Sequence, residues 1–191
     1  ACNTLTTAPD CANVKIATFT GPGTFTVNSI AGSAENNLVS YVVVAGGAGG
    51  GGGQPNWTQA GGGGAGGYRE VVSPSSPYSG SPLNGYSNAP NRITVTAQGY
   101  PIVVGGGGTA GLGYPGSPNA TAGGSGGVST FDSITSAGGG GGGTYCAGRN
   151  AVAGGSGGGG GTSSCTPEIP GAAGNTPPTS PAQGSTGGNA N

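Results

Sequence analysis

Hydrophobic positions along this chain come in short bursts separated by stretches almost without side chains. Val14–Thr20 alternates as Val-Lys-Ile-Ala-Thr-Phe-Thr, a period-two pattern that predicts a strand. Gly21-Pro22-Gly23 predicts a turn and Thr24–Val27 its partner strand, so Val14–Ile30 reads as a hairpin. Leu38–Val44 is dense in β-branched and aromatic residues and predicts a strand covered on both faces. Further strands are predicted over Tyr68–Val72, Arg92–Ala97, Tyr100–Val104 and Val128–Ser136. No apolar stripe recurs at helical spacing over a useful length, so no α-helix is expected.

Between and beyond the strands the chain is mostly glycine. Runs broken only by single small residues span Gly46–Gly53, Gly61–Gly67 and Gly154–Gly161, with shorter ones at Gly105–Gly108, Gly123–Gly127 and Gly138–Gly143. The unit of strand and then glycine run recurs after Val44, Val104 and Ile134 without a fixed period. Glycine loses the most conformational freedom on folding, and it offers no side chain to bury. Such segments can be held by bonds between peptide groups. A polyproline-II-type helix has three residues per turn and no internal hydrogen bonds, so its N–H and C=O groups point outward. Without β-carbons, such helices can lie close enough to bond to one another. The expected fold is all-β: a short-stranded sandwich or sheet combined with packed polyglycine-II-like segments. The expected division is a disulfide-closed arm over 1–13, a glycine-rich domain over 14–165 and an extended Pro/Gly/Asn-rich tail over 166–191.

Composition sharpens this. Glycine supplies 49 of 191 residues and proline 15, but only 5% are charged, whereas disordered chains are usually charge-rich. The net charge of −1 comes without a basic stripe, which argues against binding nucleic acid through phosphate neutralisation. No apolar run approaches the roughly 20 residues of a membrane helix, so membrane insertion is not expected. The sequence opens at Ala1, consistent with a processed product. Four cysteines allow three pairings. Cys2–Cys11 and Cys146–Cys165 are favoured because each closes a short Pro- or Gly-containing loop. Disulfides point to an oxidising, extracellular setting. With no histidine and no Cys-x-x-Cys, the spacing is not that of a metal site.

No catalytic constellation stands out, and no cofactor is expected. A phosphate loop needs Gly-Lys-Ser/Thr opening a helix, and no lysine comes after any run. Asp132 and Glu70 are the acids closest to a useful context, but the five acids are scattered without a paired-carboxylate motif. Arg69 and Glu70 read as a local charge pair. Asn56-Trp57-Thr58 and Asn119-Ala120-Thr121 are sequons, so Asn56 and Asn119 are glycosylation candidates in a glycosylating host. Trp57, Tyr78, Tyr86 and Tyr114 fall between the predicted strands. They suit either a ligand-contact surface or lids packed on featureless glycine.

Several ordered pieces resemble one family. They are Thr24–Val27, then Val42–Gly47, then Gly61–Glu70; Tyr100-Pro101-Ile102-Val103-Val104-Gly105; Ser129–Ile134 before Gly138–Gly143; and Gly174–Pro181 with Gln183-Gly184. In this order, over roughly Phe19 to Gly188, they resemble the glycine-rich domain of bacteriophage tail-fibre and virion structural proteins. The resemblance implies a β-rich scaffold with polyglycine packing, placed in an extracellular fibre or at a receptor-binding tip. The expected function is therefore a non-enzymatic structural subunit of an extracellular or virion filament, partnered by copies of itself. The alternative is an adhesin for a cell-surface glycan or outer-membrane receptor. An ice-binding role ranks last, because the strict three-residue glycine period of the glycine-rich snow-flea antifreeze proteins is missing.

Overall fold

The computed structural model describes residues 3–9, 11–53, 59–113, 120–144, 150–162 and 169–190, with backbone only at 11 and 12. Its elements are β1 (Thr4–Ala8), β2 (Cys11–Thr18), β3 (Gly23–Thr26), β4 (Tyr41–Val44), β5 (Tyr68–Val71), β6 (Gly99–Val103), β7 (Ser129–Phe131) and β8 (Ile134–Ser136). Single 3-10 turns lie at Ala34–Asn37, Gly85–Ser87 and Ala89–Asn91. No α-helix occurs among the described residues, in keeping with the missing helical periodicity.

The strands form a four-stranded antiparallel sheet in the order β3-β6-β7-β8 and two antiparallel pairs, β4-β5 and β1-β2. The expected hairpin across Gly21–Gly23 is not formed. β2 turns back instead on the threonine-rich stretch before it, with Ala8 opposite Cys11 and Thr4 opposite Thr18. β3 goes on to pair with β6, Phe25 opposite Tyr100. Val128–Ser136 is two strands, not one. Asp132 at φ 51 turns the chain so that Phe131 faces Ile134. Arg92–Ala97 keeps its alternation but not a ladder. Ile93 and Val95 are buried, while bonding to the facing segment is a Leu38–Thr94 bridge, Val39 N–H to Ile93 O and Val95 N–H to Asn37 O. There the period-two signal records burial rather than sheet pairing.

The side-chain core is small. Tyr41, Val43, Val71, Ile93, Val95, Tyr100, Phe131 and Ile134 pack together. Phe131 sits at its centre, edge-on to Phe25 and Tyr41 at 5.9 Å each and to Tyr100 at 6.2 Å. Such edge-to-face pairs add to the stabilisation from burial alone.

The glycine segments continue the strands. Segments 45–53 and 59–67 extend the β4-β5 pair, and 104–113 and 120–128 extend β6-β7. Segment 137–144 continues from β8. Hydrogen bonds recur at every third residue. Ala45, Ala48 and Gly51 donate to Gly67, Gly64 and Gly61, and Gly46, Gly49 and Gly52 to Gly127, Gly124 and Thr121. Gly139 and Gly142 donate to Gly46 and Gly49, and Gly140 and Gly143 to Ser156 and Gly159. A three-residue register with partners on several sides is what a threefold extended helix dictates. Residues 139–144 are buried throughout, because 45–53, 59–67, 120–128 and 150–162 surround them with bonds. The stretch after 168 also joins the bundle: Ala172 donates to Gly158, Gly187 to Ala172 and Gly160 to Gly188. A β-carbon added at Gly49, Gly123, Gly141 or Gly142 would lie within about 2 Å of a neighbouring carbonyl oxygen, so the close approach itself requires glycine.

Candidate functional site

Two surfaces stand out. The first lies between the β1-β2 hairpin and the open face of β4. Alternation along β4 sends Tyr41 and Val43 into the core and leaves Val42 and Val44 outside, 57% and 54% exposed. β6 adds Val103 at its rim. With Ile16 of β2 and Tyr78 of the loop after β5, they line a groove of about 980 Å³. The hairpin joins neither of the other sheets. Asn3 ties it to the body by donating to Pro22 O at 3.3 Å and accepting from Thr20 N–H at 3.2 Å.

The second surface is the end of the bundle away from the strands. Thr144 donates its hydroxyl to Gly52 O, Gly52 N–H reaches Thr121 O, and Thr162 N–H reaches Gln59 O. The segment ends at 52, 59, 121, 144 and 162 therefore meet there. With eight steps of about 3.1 Å, 45–53 separates them from β4 by roughly 25 Å.

Of the candidate residues, Tyr78 and Tyr86 are described, and they part company. Tyr78 is 46% exposed in the groove. Tyr86 packs against the core with the Arg92 guanidinium 4.4 Å from its ring centroid, a cation–π contact. Tyr86 is thus held at the edge of the side-chain core. Trp57, Tyr114, Asn56, Asn119, Cys2, Cys146 and Cys165 lie outside the described residues, as does the Cys11 side chain.

Several ionisable groups are tied into the fold. Arg69 and Glu70 do not pair, because successive strand residues leave opposite faces. Arg69 donates to Asn91 Oδ1 at 2.5 Å, while the buried Glu70 carboxylate accepts from the Ser81 N–H and hydroxyl. Burial pushes the Tyr41 phenol up to about 12, opposed by Arg69, and its hydroxyl donates to Asn91 O at 2.7 Å. Tyr68 is raised by burial and then by the Glu70 charge. Tyr100 is lowered by hydrogen bonds, first from the Thr96 side chain and then from its backbone. Sequence reasoning missed Asn91 and Gln183. Asn91 joins Tyr41, Arg69, Gly85 and Ser180. The Gln183 side chain accepts from Ala137 N–H and donates to Pro177 O, both at 2.7 Å. Gly85 and Pro177 are near in sequence, but the partners that tie segments together, Tyr41 and Ser180 for Asn91 and Ala137 for Gln183, lie far along the chain.

Short strands around a small aromatic core, prolonged into a bundle bonded through its backbone, define an all-β glycine-bundle domain. A family described as "Glycine-rich domain" matches residues 19–191, and the chain belongs to that family. The match begins after β2, so the hairpin stands outside it. No curated protein and no solved structure matches the chain.

Proposed function

We propose that this protein is a non-enzymatic structural subunit of an extracellular or virion fibre, assembled from copies of itself. The observation that carries this reading is the β1-β2 hairpin. A two-stranded hairpin is marginal alone in water, yet this one leaves Leu5 70% exposed and faces an uncovered row of valines on the body. A neighbouring copy supplies the missing cover by seating its hairpin on β4. The body suits the role: it is nearly neutral and is held by peptide–peptide bonds on several sides. Deleting residues 1–18 should leave the domain folded by circular dichroism and abolish filaments in negative-stain microscopy. Filaments of undiminished length from the truncated chain, or a full chain that stays monomeric at every concentration, refute the proposal.

A second reading, an adhesin at a fibre tip, is favoured by the gathering of segment ends 52, 59, 121, 144 and 162. The residues flanking Trp57 share one end of the bundle with those flanking Tyr114. On a glycan array, binding lost with Trp57→Ala while filaments persist supports this reading. Absence of binding by the full chain removes it.

A further inference from the structure

Among the described residues the bundle is incomplete on one flank. Segment 154–162 is bonded to 137–144 through Gly155, to 59–67 through Ser156, Gly159 and Thr162, to 183–189 through Gly157 and Gly160, to Val152 through Gly158, and to Ala172 through the carbonyl of Gly158. Between 59–63 and 187–190 no further described segment fills the gap. A groove of about 530 Å³ opens there, lined by backbone of Gly61–Gly63, Gly157, Gly159 and Gly187–Asn189. Gly159 lies on its floor, with its β-carbon direction running between Gly62 N and Gly188 O, at 3.3 and 3.7 Å. The walls are open: an added β-carbon meets nothing within 4 Å at Gly62 or Gly188. In the lining, the C=O groups of Ala60 and Gly63 and the N–H groups of Gly62 and Gly188 make no hydrogen bond among the described residues.

We propose that this groove receives an extended glycine-rich segment of a second copy, namely its edge segment 104–113. The inference takes the source of that segment from the fibre reading above; the groove itself does not depend on it. Three observations choose the occupant. Paired backbones throughout the bundle repeat at three residues, and the acceptors at Ala60 and Gly63 keep that spacing. On the opposite flank, the backbone of 104–113 bonds to 45–53 and 120–128 and, at the Gly105 N–H, to the Ser129 hydroxyl among the described residues. Its outer residues Gly106, Gly107, Thr109 and Ala110 are exposed, and Gly107 and Ala110 carry N–H groups at the same spacing that are unpaired among the described residues. Finally, a groove on one flank and a donor edge on the other make a heterologous contact, which propagates as a filament unless the rotation closes a ring.

The test uses the open glycines. Gly62→Val and Gly188→Val add bulk to the groove walls at positions where a β-carbon meets nothing within 4 Å. Gly32→Val, equally unobstructed and outside the groove lining, is the control. The 15N-labelled full chain is titrated with a capped peptide of the 104–113 sequence. The expected result is amide shifts at Gly62, Gly159 and Gly188, with affinity weakened at least about tenfold in the double valine variant and unchanged in Gly32→Val. Sedimentation velocity should show self-association weakened in the same variant. Absence of those shifts, or shifts and self-association unaltered by the two valines, overturns the proposal. The titration reads the groove apart from assembly. Filaments built through other surfaces would leave the fibre reading standing while the titration fails.

Discussion

Replacing Gly142 by alanine puts the central physical claim at risk with a single methyl group. The new β-carbon would lie 2.1 Å from Gly61 O and 2.8 Å from Gly61 C and Gly62 O. All three are backbone atoms, so no rotamer change relieves the clash. The neighbouring segment has to retreat by roughly 1.3 Å or more to reach ordinary van der Waals distance. That retreat strains four hydrogen bonds: Gly142 N–H to Gly49 O, Gly123 N–H to Gly142 O, Gly61 N–H to Gly143 O and Gly143 N–H to Gly159 O, now 2.8–3.0 Å long. At about 1 kcal/mol net each, their loss costs about 4 kcal/mol. Alanine returns about 0.4–1 kcal/mol by restricting the unfolded chain. The expected result is destabilisation by about 3 kcal/mol, a large share of the roughly 5–15 kcal/mol of an ordinary domain. Gly62→Ala meets nothing within 4 Å, so it should be neutral or stabilising by up to about 1 kcal/mol. Urea denaturation monitored by circular dichroism measures both. Equal midpoints for the two variants would refute the reasoning, because the methyl group would then be tolerated where backbone contact is claimed to exclude it.

The side-chain anchors carry further expected outcomes. Gln183→Ala removes the partners of Ala137 N–H and Pro177 O from a site only 2% exposed, so unfolding should become easier by about 2–4 kcal/mol; a loss below about 0.5 kcal/mol in urea melts contradicts this. Tyr41 has a folded pKa above its ordinary 10.0, so the neutral phenol contributes stability that is fully present below pH 10. That stability is lost as pH rises toward about 12. The melting temperature should therefore fall over this window, and less steeply in Tyr41→Phe; parallel curves for the two proteins would remove the assignment. Phe131→Ala, at the centre of the aromatic contacts, should cost about 3–5 kcal/mol in the same melts.

The groove and the bundle end are legible in the sequence to different degrees. Tyr78 stands out by its place in an unpatterned loop, and it does line the groove. Tyr86 stands out for the same reason and packs on the core, because Arg92, only six residues on, holds its ring. The open face of β4 has no such signal. Val42 and Val44 look like core in a run of valines, and only the lack of a second layer over β4 leaves them outside. The groove beside Gly159 has no sequence signal either, since Gly62, Gly142 and Gly159 are the same letter in similar runs.

Sequence alone determined which segments lack helix, where β-branched residues would make strands, and which stretches could approach one another closely. These are local properties, set by the presence, branching or absence of a β-carbon. Partnership was decided only in three dimensions. β3 finds β6 rather than β2, and 139–144, a plain glycine run but for Thr144, becomes buried throughout. A glycine peptide group is identical at every position, so a run of them carries no address. Register comes instead from the few side chains at the ends, such as Ser136 bonding Val43 O, Thr144 bonding Gly52 O and Gln183 bonding Ala137. Their meaning exists only once residues far apart along the chain have been brought together.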